Sequence, residues 1–402
     1  MHTINAVATF NVRFLGCKVS HTDAQDVRER LLRDGHREVE SDGEVAIVNT
    51  CCVTNEAVAK SRKEAARAAR THRRVYVTGC GASLAGAAFA RLPSNVVVVA
   101  RPSEQTPEFV AGDVGAIGCV HADARLDRVR AFVKIQDGCS FSCNFCVVPL
   151  VRGRSRSRTA EAVLAEIRRR VAQGHREVVL TGINLGCYRD RGAGYDLARL
   201  VREAGATPGL ARLRLSSIEV NHVDERLEQA LRETPNVAHH LHVPLQSGDD
   251  AVLRAMARRY TAATYMRRLE RFADFNLTTD VIVGFPSEDD AAFSKTLRVV
   301  RDAGITKVHV FPYSPRPGTA TAARDAIAPS VKKQRGAQLR EASRRALAAH
   351  WRSKLGSEDA VLVDRPGRGY GDDYSPWLVD APVGSLIRVR AGAVTEEGIL
   401  AA

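Results

Sequence analysis

Eight consecutive residues constrain this chain more than any others: Cys139-Ser140-Phe141-Ser142-Cys143-Asn144-Phe145-Cys146. The three thiols, at C-x3-C-x2-C spacing, follow directly on a segment patterned as a strand, residues 131–135. Three thiolates can hold three irons of a cubane 4Fe-4S cluster and leave the fourth iron open to a small molecule. A zinc knuckle is the alternative. Structural zinc takes four ligands, commonly in C-x2-4-C pairs, and no nearby Cys or His completes this set.

The chain has nine cysteines, the others being Cys17, Cys51, Cys52, Cys80, Cys119 and Cys187. An odd number argues against a disulfide framework in an intracellular protein. No apolar run approaches the ~18 residues of a bilayer-spanning helix. Residues 1–10 lack a basic segment followed by an apolar one, so no secretory signal is expected. These features predict a cytoplasmic chain with no membrane partner. Lys and Arg outnumber Asp and Glu by 59 to 46, a net charge of +13, which favours a polyanionic partner over a merely solvated basic surface. With 12 Phe, 8 Tyr and 2 Trp, a large base-stacking platform is not expected.

A length of 402 residues predicts two or three domains. Strand patterns at 11–15, 45–49, 74–78 and 96–99 alternate with helical patterns at 23–34 and 56–70. That alternation predicts an open parallel α/β domain over residues 1–112. Residues 113–128 read as a linker. A second domain, 129–350, carries six strand patterns (131–135, 177–181, 212–218, 240–245, 279–283 and 307–311) with helices between, including 159–173, 250–258, 265–275 and 288–303. Six βα units are too few for an eight-fold barrel, so an open, partial (β/α)6 barrel is expected. A basic helix spans 329–355. Residues 356–402, with short strands and Gly- and Pro-rich turns, suggest a small β-barrel.

Cys17, Cys51 and Cys80 each fall just after a predicted strand of the first domain. In a parallel sheet the carboxyl ends of all strands share one edge, where ligands bind. Three cysteines far apart in sequence can therefore converge there, and soft thiolates suit iron–sulfur or zinc. The bland alternative is three buried small hydrophobes. Cys52, Cys119 and Cys187 have no spacing partner and are expected to be non-ligands.

The central cysteine loop, with Phe145 before its last cysteine, resembles the radical S-adenosylmethionine superfamily. The amino-terminal blocks, residues 14–19, 49–55 and 77–80, resemble the tRNA methylthiotransferase family. So do the blocks at 135–139, 152–158, 180–186, 215–219, 242–248 and 280–286, in order along nearly the whole chain. The carboxyl-terminal segment is similar to the RNA-binding TRAM domain of that family. Lys18 and Lys60-Ser61-Arg62 point to the branch acting on N6-threonylcarbamoyladenosine at position 37 of tRNA. Four departures stand out: Gly81 where an aromatic is expected, Val220 for proline, Cys187 for a small residue, and the short terminal domain.

The resemblance implies a radical SAM methylthiotransferase that adds a methylthio group to C2 of the adenine. It implies two 4Fe-4S clusters, one on Cys139, Cys143 and Cys146 and an auxiliary one on Cys17, Cys51 and Cys80. S-adenosyl-L-methionine would serve as methyl donor and radical source, with Phe145, Thr181, Gly182, Ser217, Glu219 and Gln246 beside it. It also implies an electron donor protein and a sulfur source as partners. Arg152, Arg154, Arg156 and Arg158 alternate; in an extended segment they would share one side and clamp tRNA phosphates. A solvated loop is the alternative. His242 reads as a core or supporting histidine, and Trp351 and Trp377 as packing residues. Competing substrates are isopentenyladenosine in tRNA or a ribosomal-protein aspartate. A different class, a zinc-stabilised RNA-binding protein without catalysis, stays open at this stage.

Overall fold

A computed structural model describes residues 7–100, 105–114 and 129–402. Five parallel strands, Thr9–Phe14 (β1), Arg37–Glu38 (β2), Val45–Thr50 (β3), Arg74–Thr78 (β4) and Val96–Val98 (β5), form one sheet in the order β2-β1-β3-β4-β5. Side chains alternate between its two faces. Phe10, Ile47 and Tyr76 meet Val27 and Leu31 of the helix Lys18–Arg33 and Val110 of the helix Thr106–Val114. Ala46, Val48 and Val77 meet Ala65 and Phe89 on the other face. Strand order reverses direction between β1 and β3, and the crevice beyond their carboxyl ends is where such sheets bind ligands. The helix ending at Val114 passes residue 112; Cys119 and most of the expected linker lie outside the described residues.

The central domain contains Arg130–Asp137 (β6), Arg156–Ser157 (β7), Glu177–Gly182 (β8), the two-strand ribbon Arg189–Asp190 (β9) and Tyr195–Asp196 (β10), Arg212–Leu215 (β11), His240–His242 (β12), Asn276–Val283 (β13) and Ile305–Pro312 (β14). Sheets β11-β8-β6-β7 and β12-β13-β14 are stitched together: Leu213 N donates to Asn236 O at 2.8 Å, and Ala238 N to Leu213 O at 2.8 Å. The result is the expected open barrel, β6-β8-β11-β12-β13-β14, in sequence order. Its outward residues, among them Val133, Leu180, Leu213, Leu241 and Val281, make the main core with the surrounding helices. Alternate residues face the lumen, and many are polar: Lys134, Glu177, Arg214, His240, His242, Thr278, Asp280 and His309. The barrel is thus apolar outside and polar inside, with most of these polar side chains buried.

Glu358–Arg365 (β15), Arg368–Tyr370 (β16), Pro376–Leu378 (β17), Leu386–Val394 (β18) and Ile399–Ala401 (β19) close into a barrel, β15-β16-β17-β19-β18. Closure removes free strand edges. Trp377 fills its centre, and Trp351 of the helix Pro329–Ser353 packs on it, so both tryptophans are packing residues. This barrel caps the foot of the central one. Arg212 Nη2 donates to Ala360 O at 2.5 Å, Asn276 Nδ2 to Asp373 O at 2.7 Å, and Arg130 pairs with Asp364 at 2.9 Å.

Some element bounds differ from those expected from sequence. The strand patterns at 212–218 and 240–245 stop at Leu215 and His242, because the chain leaves the ladder to build loops at the barrel rim. The helix expected from residue 23 starts at Lys18, with Cys17 at its N-cap. Cysteine is not a capping residue by preference, so that start carries no sequence signal. Among the described residues, no helix is long and apolar enough to cross a membrane.

The first domain is fastened to the second by charge. Asp23 pairs with Lys134 at 2.6 Å and with Arg152 at 2.6 Å, and Arg152 also holds Asp137 at 3.0 Å. Arg152 is 5% exposed at its side chain, so Arg152→Met removes one partner of a buried network. A loss of about 3–5 kcal/mol is expected, read as a lowered urea midpoint; a midpoint within error of the parent would contradict the network's role.

Candidate functional site

Cys17 caps the helix Lys18–Arg33, Cys51 follows β3, and Cys80 is the second residue of the helix Gly79–Leu84 after β4. All three sit at the carboxyl edge of the sheet, two of them flanking its switch point. A Cβ on Gly16 would lie 3.5 Å from Cys51 Cβ, which shows how closely the first loop approaches the second. The charges of Cys17 and Cys80 add to burial in pushing the Cys51 thiol up. Gly81, the departure noted above, leaves no room for a side chain: a Cβ there would meet Thr50 Oγ1 at 2.6 Å.

Cys52 is fully buried and shares a hydrogen bond with Cys80. That bond, assisted by the Arg152 charge, draws the Cys80 thiol down to about 7 and raises Cys52. Arg152 Nε donates to Cys80 Sγ at 3.0 Å. In cluster-free protein, Cys80 is therefore expected to be the thiol that iodoacetamide alkylates first. Its rate should rise with pH through a midpoint near 7, where the thiolate forms, and Arg152→Met should move that midpoint up. A midpoint at the ordinary thiol value would contradict this electrostatic assignment.

The second trio lies on the loop after β6. Cys139 N donates to Gly153 O at 3.0 Å, and Cys146 N to Cys143 O at 3.0 Å. Gly138 (φ +68°) permits this tight fold, since a Cβ there would fall 2.2 Å from Arg154 O. Gln136, fully buried in β6, ties the loop down: its Nε2 donates to Gly138 O at 2.7 Å and its Oε1 accepts from Asn184 N at 2.8 Å. Burial pushes the Cys146 thiol up to about 12, with the charges of Cys143 and Cys139 adding to it. Donors aim at the sulfurs: Phe141 N reaches Cys139 Sγ at 3.4 Å, and Arg258 Nη1 reaches Cys143 Sγ at 3.5 Å. Cys187, distant in sequence, also stands here. Its thiol is raised to about 11 by burial and by Cys139, and its Sγ lies 3.4 Å from His222 Nε2.

Among the described residues, no three His, Cys, Asp or Glu side chains are arranged around a single metal ion. Each trio instead offers three soft thiols, and N–H donors aim at sulfurs of both, a donor set that fits an iron–sulfur group. One guanidinium reaches from the first trio to the strand that leads into the second. Arg152 touches Cys80 with Nε and Asp137, two residues before Cys139, with Nη1. Beside it opens a cleft of about 380 Å³, lined by Asp23, Asn49, Cys80, Asp137, Arg152 and Arg156 among others.

Thr181, Gly182, Ser217, Glu219 and Gln246 follow or end β8, β11 and β12, so they share the barrel rim with the cysteine loop. Thr181 is fully buried, and its Oγ1 has no partner among the described residues. A Cβ on Gly182 would lie 3.0 Å from Gln136 Oε1. Ser217 is half-buried. Glu219 accepts from Asn221 N at 2.9 Å and from Arg258 Nη2 at 3.4 Å, so Arg258 joins it to Cys143. Gln246 adopts φ +66° and bonds to Asp280 and Ile282 of β13. Phe145 is half-buried edge-on to Phe285, at 6.4 Å between centroids. His242 is a satisfied histidine, bonded to Thr278 at 2.9 Å and Asp280 at 3.1 Å.

The arginine row differs from expectation. Arg152 ends the helix Val148–Arg152 and points into the protein, and Arg158 bonds Lys134 O at 2.8 Å and Glu166 at 2.6 Å. Only Arg154 and Arg156 of the four are exposed. The segment bends at Gly153 (φ +71°), so the alternation does not place all four on one side. Sequence reasoning missed Arg258, because one of several neighbouring arginines, placed in a loop after the helix Asp250–Ala255, gives no signal of its own. It missed Gln136's role because a strand glutamine looks ordinary.

Residues 133–300 match the "Radical SAM superfamily" model, and residues 9–100 match "Uncharacterized protein family UPF0004". Threonylcarbamoyladenosine tRNA methylthiotransferase MtaB of Chlamydia pneumoniae is 34% identical, with 98% of this chain and 97% of the relative covered. The protein of that name from Thermotoga maritima is 33% identical, covering 98% and 96%. The tRNA-2-methylthio-N(6)-dimethylallyladenosine synthase of Paracoccus denitrificans is 32% identical, covering 96% and 94%. Among solved structures, the radical S-adenosylmethionine methyltransferase TsrM from Kitasatospora setae superposes with a TM-score of 0.56 at 13% identity, covering 78% of this chain and 76% of that one, a likeness of fold alone. Fold and cysteine loop place the chain among radical SAM enzymes, and within them it belongs to the tRNA methylthiotransferase family. It is a radical SAM methylthiotransferase, a class that works with S-adenosylmethionine and a 4Fe-4S cluster.

Proposed function

We propose that this protein adds a methylthio group to C2 of N6-threonylcarbamoyladenosine at position 37 of tRNA. The observation that carries the reading is the contact of Arg152, six residues after Cys146, with Cys80 across the domain interface, which brings the two cysteine regions to one face. Cys139, Cys143 and Cys146 would hold the cluster that binds S-adenosylmethionine. Cys17, Cys51 and Cys80 would hold a second, auxiliary 4Fe-4S cluster. When bound, these groups supply a carbon radical and a methylated sulfur, which the unactivated C2–H bond needs because no side chain can ionise it.

The chain's own residues orient and shield. Thr181 Oγ1 and Gly182 offer a free acceptor and a close backbone approach at the rim. Phe145 walls one side against Phe285. Glu219, held by Arg258 and Asn221, presents a carboxylate to amino or hydroxyl groups of S-adenosylmethionine. Gln246 fixes the next loop. Arg154 and Arg156, exposed beside the cleft, and the carboxyl-terminal barrel would meet tRNA phosphates. The reaction also calls for an electron donor protein and a sulfur source, and it belongs in the cytoplasm with its tRNA.

Nucleoside mass spectrometry of tRNA from cells lacking and regaining the gene tests this. The 2-methylthio form of threonylcarbamoyladenosine should vanish and return. The second reading, isopentenyladenosine, is favoured by relatives such as the Paracoccus denitrificans synthase, and loss of its methylthio form instead would establish it.

A further inference from the structure

Lys18, a residue of the first family block, has no task in the reaction above. It follows Cys17 directly, yet its side chain turns away from the sheet edge into the barrel lumen. Its ammonium lies 6.0 Å from the Tyr374 ring centre, and Arg130, Arg214 and Glu177 are close enough for their charges to act on it. It acts in turn on His240 and His309, from β12 and β14. Arg130 of β6 and Arg214 of β11 lie over the same Tyr374 ring, at 5.3 and 4.5 Å, so the ammonium shares one lumen site with them.

Three features make this a place for an anion. Other lysines withdrawn from solvent each hold a carboxylate: Lys134 holds Asp23 at 2.6 Å, Lys332 holds Asp325 at 2.5 Å and Lys354 holds Asp373 at 2.7 Å. Lys18 pairs with none among the described residues. Its cationic neighbours are already engaged, Arg130 by Asp364 at 2.9 Å and Arg214 by Glu177 at 3.0 Å. The region carries surplus positive charge once those pairs are set aside. The lumen is also open: Lys18 is half-buried, Asp280 is 25% exposed at its side chain, and His309 is exposed.

We propose that Lys18, beside Tyr374 and the lumen face of His240 and His309, binds the carboxylate of the threonyl group on the substrate adenosine. This rests on the threonylcarbamoyl reading above. C2 and C6 of adenine flank the same ring nitrogen, so a base whose C2 faces the Cys17 trio carries its C6 substituent toward the residue after Cys17. A neutral isopentenyl group offers nothing to an unpaired ammonium, so the same contact selects the substrate.

The test uses reconstituted enzyme and three anticodon stem-loops, carrying threonylcarbamoyladenosine, its carboxamide analogue, or unmodified adenosine. Wild-type enzyme should bind the acid about tenfold or more tightly than the amide, as one charge-assisted contact predicts. Lys18→Gln should erase that ratio and raise KM for the acid more than it lowers kcat, while Lys18→Arg should keep part of it. Equal wild-type affinity for acid and amide overturns the proposal without needing any variant. Equal weakening of all three stem-loops by Lys18→Gln also overturns it, since the lysine then serves the RNA backbone. If wild-type enzyme does not methylthiolate the acid stem-loop at all, the functional reading itself has failed; turnover of the acid with no acid–amide difference sinks only the role of Lys18.

Discussion

Cys143→Ala, reconstituted without oxygen, is expected to form no 5'-deoxyadenosine and no methylthiolated nucleoside. Cys143 is the middle member of the trio proposed to hold the cluster, so its loss would leave two of those thiols for a four-iron group. It is also the sulfur that Arg258 reaches at 3.5 Å, and through Arg258 it is joined to Glu219. One substitution thus removes a ligand and the anchor of the neighbouring carboxylate arm. Arg258→Met keeps all three thiols and should cost less, about 10- to 100-fold in activity, the usual effect of losing a partner of a ligand. Full turnover by Cys143→Ala would remove the central loop from the chemistry.

Cys51→Ala is expected to split the reaction. Cys51 lies outside the loop carrying Cys139, Cys143 and Cys146, so 5'-deoxyadenosine formation should continue. Methylthiolated product should fall to background, because the proposed sulfur-donating site would lose one of its three thiols. Substituting the neighbouring Cys52 is a control with a different expectation. Cys52 is buried against Cys80, so Cys52→Ala should shift the alkylation midpoint of Cys80 upward more than it shifts iron content. Normal product from Cys51→Ala would take the amino-terminal trio out of the mechanism.

The parts of this site legible in sequence share a cause: their chemistry is local or tied to a repeated position. The C-x3-C-x2-C loop is contiguous. Cys17, Cys51 and Cys80 each follow a strand, and parallel topology turns that repetition into proximity. The polar lumen was not legible, because its residues come from six strands and only closure of the barrel brings them together. Arg152 sat in a visible arginine row, but the turn at Gly153 and the buried Asp23 and Asp137 decide its direction. Cys187 gave no spacing signal because its partners, Cys139 and His222, lie on other loops.

The proposed chemistry requires two thiol sets, each gripping its own inorganic core. Counting iron and acid-labile sulfide on anaerobically reconstituted protein tests this directly, using wild type and two triple alanine variants, one per trio. Wild type should hold about eight irons, and each variant about four, as two independent four-iron groups require. A wild type with about four irons, unchanged when Cys17, Cys51 and Cys80 are all replaced, would contradict it.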